Sequence, residues 1–353
     1  MEFYNLLNRR PLIEIVPDEG EVEFWSKEYK NSNDITLYSW RNDWVNNTRE
    51  NLKHFGYFNR DNSIKIYFNE LINEPVILVG AGSSLEKNIE YLKLAKEMKI
   101  PIISSHHSLM YLADYGIKPD YVVVLDAGKM WDDYFAFDKM DWSDVPLLAD
   151  QTCNTEQLKK WPGKVKFFKS TNPVDTNIGK FIKMELDRLV NPYHQGSQIE
   201  VGGHAMGAML SIARGVMKAN TIIFVGCDYS FSLDNRFYPF DHKIDKVVMM
   251  EDTDGTVSEK PAPPPPQGTI FDIFGNTVAT NGAYLGFKNV MDNGIKANKM
   301  GAMQAGEDLD FINASEGGAL GALKGGNSRW MQYMRLEDAI YMADSKRKLK
   351  EGK

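Results

Sequence analysis

Apolar residues in this chain are concentrated in short blocks, and from residue 75 onward most blocks are followed by a stretch with helical spacing. Pro75-Val76-Ile77-Leu78-Val79 runs into Gly80-Ala81-Gly82-Ser83-Ser84, after which Leu85, Ile89, Leu92, Leu94 and Ala95 recur on one helical face. The pattern predicts a strand at 76–79 and a helix at 85–98. It repeats with Ile100–Ser104 then a helix from His107 to Tyr115, with Tyr121–Asp126, with Pro146–Leu148 and with Val165–Phe168. A helix from Gly203 to Lys218 then precedes Thr221–Gly226, read as the last buried strand. Further on, 271–295 reads as a strand-turn and a helix, Phe311–Asn313 as a short strand, and the tail from Arg335 as a helix with a Lys-rich end.

Continuous apolar strands alternating with helices predict an α/β fold, a Rossmann-like, mostly parallel sheet covered by helices on both faces. Ligands of such sheets sit beyond the carboxyl ends of the strands. Those ends carry Gly80–Ser84, Ser104-Ser105-His106-His107, Asp126 and Asp228-Tyr229-Ser230, and their convergence on one edge is harder to explain as packing than any one of them.

Residues 1–70 differ, with many aromatic and charged positions and alternating runs at Ile35–Tyr38 and Ile64–Tyr67, and are read as a small N-terminal α+β subdomain. The transferase-type domain is placed at 71–330 and a helical tail at 331–353. Between about 245 and 268 the pattern collapses into a polar stretch and the run Pro261-Ala262-Pro263-Pro264-Pro265-Pro266, and the segment 231–268 is expected to form a lid or spacer.

Composition narrows the partners. The 353 residues are 43% hydrophobic and 25% charged with a net charge of -7, so there is no general basic footprint for nucleic acid, although a local groove is not excluded. Two cysteines, Cys153 and Cys227, are too few for a disulfide scaffold. No leader-like start and no run of about 20 apolar residues is present, so the reading is cytoplasmic and without a membrane span. The chain is free to form a homo-oligomer.

Four groups of residues could carry chemistry. The turn Gly80, Ala81, Gly82, Ser83, Ser84 has the small side chains and helix N-terminus that suit a phosphate, or equally a packing turn. Gly202, Gly203 and His204 open a second helix and offer another wall of a donor pocket, with Ser105 beside it. Asp228 and Asp126 close their strands, where a carboxylate can hold a hydroxyl, take a proton or cap a turn. Tyr238 and His242 lie in the irregular segment, as a phosphate contact and a general base. His106 and His107 are adjacent and are expected to point apart. No ligand-spaced cluster is evident, so no tightly bound metal is expected. Motifs of the common ATPases, hydrolases and thiol enzymes are missing.

Several blocks in order resemble one family. They are Val79–Leu85, Gly116–Asp126, Gly202-Gly203-His204, Ile222–Asp228 and Asn313-Ala314-Ser315-Glu316-Gly317-Gly318-Ala319. Across roughly 75–325 they resemble the central domain of the motility accessory factors, the flagellin glycosyltransferase type, and the 6-hydroxymethylpterin diphosphokinase-like proteins. A more distant likeness is to bacterial sialyltransferases that use CMP-activated sugars. Gly80–Leu85, Gly226-Cys227-Asp228 and Phe237–Asp241 are similar to three of their motifs, while Phe274–Thr277 lacks their histidine.

The resemblance implies a sialyltransferase-like core that moves a sugar, a nonulosonic acid, from a CMP-linked nucleotide donor to a hydroxyl acceptor. Asn313 and Glu316 would face the nucleotide, and the base would be His242 or Asp272. The alternatives are ATP-dependent pyrophosphoryl transfer, with Asp126 and Asp228 holding Mg²⁺, and a non-catalytic nucleotide-binding or scaffold protein.

Overall fold

In a computed structural model, the structure describes residues 10–14, 40–56, 60–128, 136–171, 184, 186, 198–234, 236, 247–251, 257–261 and 266–351. Nine strands form the main sheet: β1 (Pro75–Val79), β2 (Ile102–Ser105), β3 (Tyr121–Val124), β4 (Leu147–Asp150), β5 (Val165–Ser170), β6 (Gln198–Ile199), β7 (Thr221–Val225), β8 (Asp310–Asn313) and β9 (Gln332–Tyr333). Every neighbouring pair is parallel, in the order β9-β8-β7-β1-β2-β3-β4-β5-β6. The chain therefore builds outward from β1 to β6, returns to the middle as β7, and builds outward the other way. The reversal lies between β1 and β7, where doubly wound sheets hold ligands beyond the carboxyl ends.

Both sheet faces are dry. Val76, Leu78, Ile103, Val123, Ile222 and Phe224 pack against Met206, Met209, Ile212 and Ala213 of the segment beginning with the helix Ala205–Leu210. On the opposite face, Ile77, Val79, Ile102, Ile223 and Val225 meet Leu85, Leu92 and Leu112, and Leu336, Ala339 and Ile340 of the C-terminal helix Leu336–Glu351. The central strands β1 and β7 are apolar on both sides, as the continuous blocks in the sequence imply.

Local structure departs from expectation in two places. Ile64–Tyr67 is a short 3-10 helix rather than a strand, because Ser63 caps it by accepting from Lys65 N–H and Ile64 turns into the core. Ile35–Tyr38 lies outside the described residues. Thr221–Val225 is not the last strand of the sheet, since Asp310–Asn313 and Gln332–Tyr333 extend it beyond β7. The helix at 40–55 packs on the carboxyl edge, where Asn51 donates to the carbonyls of Gln151 and Cys153. Among the described residues no helix is long and apolar enough to cross a membrane.

Candidate functional site

Gly80–Ser84 and Gly226–Ser230 meet at the reversal point. Gly80 N–H donates to Val225 O and Gly82 N–H to Gly226 O, each at 2.8 Å. Gly82 must lack a side chain there, because a Cβ would lie 2.5 Å from Asp228 Cγ and 2.7 Å from Gly226 O. Asp228 is the anion that the turn holds. Its carboxylate accepts from Ser84 N–H at 2.8 Å, from Ser83 Oγ at 3.3 Å and from Ser84 Oγ. Burial pushes this carboxyl above its ordinary range, and the serine donors pull it back.

A third loop closes the same edge. Ala319 N–H donates to Asp228 O at 2.6 Å, and Cys227 N–H to Ser315 Oγ at 3.2 Å. Asn313 is fully buried, donating to Leu320 O and accepting from Ser315 N–H. Glu316 accepts from Leu336 N–H at 3.3 Å and so caps the C-terminal helix. The two side chains expected to face a nucleotide are thus engaged by backbone groups. His204 caps its helix by accepting from Gly207 N–H through Nδ1 at 3.2 Å, and burial drives its pKa down to about 3, so the ring is neutral. Its Nε2, Ser230 Oγ and Asn281 Nδ2 are buried without a hydrogen-bond partner among the described residues.

The ends of β2 and β3 present a different surface. His106 and His107 begin a 3-10 turn directly after β2, and Asp126 lies two residues past β3. The imidazoles lie side by side, with ring centroids 3.9 Å apart and planes at 45°. Asp126 Oδ2 is 3.2 Å from His106 Nε2 and 3.9 Å from His107 Nε2. The three side chains offer ligand atoms all within 4.8 Å of one another. The expectation that adjacent histidines point apart is corrected here. On a tight turn their long rings reach the same carboxylate from the neighbouring strand.

Exposure rises steeply across this cluster, from 2% for the His106 side chain to 33% for His107 and 53% for Asp126. Burial alone would raise Asp126, but a hydrogen bond from His106 and the charge of both imidazoles bring it down to about 2, so it is ionised at neutral pH. Its loop is fixed from outside by Asn47, which donates to Ala127 O at 3.2 Å and Thr152 O at 2.9 Å. Beneath β2, Ser108 Oγ donates to Ser105 O at 2.9 Å and lies 3.1 Å from Ser105 Oγ. Ser105 is therefore part of the support under the histidines. Cys153 stays a protonated thiol because burial raises it, and it donates to Val124 O.

Tyr238 and His242, with most of the expected lid, lie outside the described residues. Asp272, the alternative base, accepts from Phe274 N–H, Asn276 N–H and Asn276 Nδ2, which commits it to a turn. Asn47 was not singled out from the sequence, and nothing in its local pattern marks it. The paired histidines had a signal, since they end one parallel strand and Asp126 ends the next.

A family model described as 6-hydroxymethylpterin diphosphokinase MptE-like matches residues 43–234, more than half of the chain. The structure of MAf glycosyltransferase from Magnetospirillum magneticum AMB-1 is similar with a TM-score of 0.49 and 15% identity, over 79% of this chain and 37% of that one. The chain thus spans well under half of that protein's length. No curated protein matches.

Proposed function

Because this chain belongs to the 6-hydroxymethylpterin diphosphokinase MptE-like family, we propose that it is a transferase whose donor is a nucleotide-activated group bound at the carboxyl edge of the sheet. The observation that carries the reading is the cluster His106, His107 and Asp126, which runs from a buried imidazole to a half-exposed carboxylate near the β1/β7 reversal. The reaction we assign is glycosyl transfer from a CMP-linked sugar, on the strength of the ordered sequence blocks that resemble the motility accessory factors. In that reaction the sugar–phosphate bond breaks, the acceptor hydroxyl oxygen bonds to the sugar carbon, and its proton passes to a base. Negative charge develops on the leaving phosphate and must be met by fixed positive groups or donors.

The closed reversal point changes where that phosphate would sit. Four N–H groups of the turn, those of Gly80, Gly82, Ser84 and Leu85, already have acceptors within the protein. The phosphate is accordingly assigned to the β2/β3 end of the edge. His242 stays the proposed base, on the sequence reading alone.

The family description favours a second reading, pyrophosphoryl transfer from ATP to a pterin alcohol. That chemistry needs Mg²⁺ on the phosphates. Asp126 and Asp228 do not make the site expected for it. Asp228 is consumed by Ser83 and Ser84, and Asp126 faces two nitrogen ligands, whereas Mg²⁺ prefers oxygen. Calorimetry with CMP and with ATP, together with product analysis, separates the readings. Release of CMP from a CMP-activated sugar supports glycosyl transfer, and release of AMP from ATP with a pterin alcohol supports the second. Binding of neither nucleotide would reject both.

A further inference from the structure

We propose that His106, His107 and Asp126 form a site for one divalent first-row transition-metal ion, of the class that includes Zn²⁺ and Co²⁺. Two imidazoles and a carboxylate are the donor set that such ions take, and Mg²⁺ does not favour it. Tetrahedral ligands at about 2.0–2.1 Å from zinc lie about 3.3 Å from one another. His106 Nε2 and Asp126 Oδ2 are already 3.2 Å apart, and His107 Nε2 is 3.9 Å from the same oxygen. The three ligand atoms lie within 4.8 Å of one another, so shifts of the partly exposed His107 ring and the rim carboxylate would close the group around an ion.

Three further features distinguish this cluster from a simple Asp–His hydrogen bond. One imidazole satisfies such a bond, yet a second ring is held against the first at 3.9 Å and directed to the same oxygen. The support is also rigid on both sides. The serines on either side of the histidines bond to one another and to Ser105 O, and Asn47 donates to Ala127 O, next to Asp126. Finally, among the described residues the group has three protein ligands. With a buried His106 and a half-exposed Asp126, three protein ligands would leave a fourth position for a non-protein ligand, the arrangement of a catalytic rather than a structural ion.

What those open positions would take, a phosphate oxygen of the donor, rests on the transferase reading. Binding of the ion itself does not. A bound cation there would neutralise charge on the leaving phosphate without any of the turn donors that Asp228 occupies.

The test uses the untagged full chain, stripped with chelator and titrated with Co²⁺ under visible absorption. One equivalent should develop ligand-field bands, an equivalent of Zn²⁺ should abolish them, and a large excess of Mg²⁺ should not. His107→Ala and Asp126→Asn each remove a ligand at the exposed rim, and each should weaken Co²⁺ binding by about 100-fold or more, since even loss of an outer-shell partner costs 10–100-fold. Circular dichroism of both variants should match the parent; if His107→Ala fails to fold, Asp126→Asn carries the comparison. Absence of stoichiometric Co²⁺ binding, or binding that Asp126→Asn retains, would overturn the site. Tight Co²⁺ binding with no affinity for CMP or ATP would sink the transferase reading and leave the ion site standing.

Discussion

The carboxyl edge of one sheet contains two regions built on opposite plans. At the ends of β1, β7 and β8, three carboxylate and amide side chains are each answered by another part of the protein: Asp228 by Ser83 and Ser84, Asn313 by Leu320 and Ser315, Glu316 by Leu336. At the ends of β2 and β3, the polar groups converge on one another and on solvent, with a carboxylate that is half-exposed. Polar atoms at a strand end can lock loops together or remain available to a ligand, and one set rarely does both. The first region is where the fold is fastened, and the second is where it is open to chemistry.

If that division is right, the first region should respond to mutation in stability and the second in binding. The largest stability effect is expected from Asp228→Ala. It strands Ser84 N–H and two serine hydroxyls in a buried place. Unsatisfied buried donors and the loss of charge-assisted bonds should together cost about 4 kcal/mol in denaturant unfolding. A loss below about 1 kcal/mol would mean that the clamp does not fasten the edge, and the contrast would fail.

Gly82→Ala comes next. The added methyl must displace the Asp228 carboxylate or the Gly226 carbonyl, an overpacking strain of about 2 kcal/mol. A larger side chain such as valine would strain the fold in the same place, so a binding defect in that variant would not report on a phosphate site. Unchanged unfolding of Gly82→Ala would show that the two loops are less tightly joined than their contacts imply.

Acid should also act on the fastened side, through His204. Its native pKa of about 3 lies below the ordinary value of 6.5 because burial disfavours the imidazolium. Between those values the unfolded chain binds a proton that the native chain does not, so stability rises with pH through this window. The contribution is complete above 6.5 and is lost on acidification, by about 1.4 kcal/mol per pH unit. His204→Asn keeps an acceptor for Gly207 N–H at the helix start. Its melting temperature should therefore fall less steeply than the parent's from pH 6.5 to 5. Parallel curves would remove His204 from the account.

The contrast between the two regions also explains what could be read from the sequence. Strand blocks such as Val76–Val79 and Thr221–Val225 are apolar on both faces, so a parallel sheet with two covered faces is legible without any tertiary information. The convergence of four strand ends follows from parallelism alone. Which of those ends is occupied by the protein does not. Gly80–Ser84 has the composition of a phosphate turn, but the composition is the same whether its anion is a ligand or Asp228, 144 residues on from Ser84. The histidine pair was legible as a strand end and illegible as a pair, because sequence adjacency says little about where long rings meet on a 3-10 turn. Asn313-Ala314-Ser315-Glu316 carries a family-like pattern, and among the described contacts its polar groups bond to the protein's own backbone.

The smallest stability effect is expected where the functional effect should be greatest. Asp126→Asn removes a charge that is 53% exposed, 3.2 Å from one imidazole and 3.9 Å from another. Half-exposed ion pairs contribute about 1 kcal/mol or less, because water screens the attraction and fixing the side chain costs entropy. The asparagine amide keeps the shape of the rim and retains an oxygen for His106. Denaturant unfolding of Asp126→Asn should therefore lie within about 1 kcal/mol of the parent, set against about 4 for Asp228→Ala. Two aspartates following strand ends on the same edge of the sheet would then differ severalfold in what they contribute to the fold. Equal losses at the two positions would collapse the division between a fastened and an open edge, and Asp126 would have to be read as one more clasp.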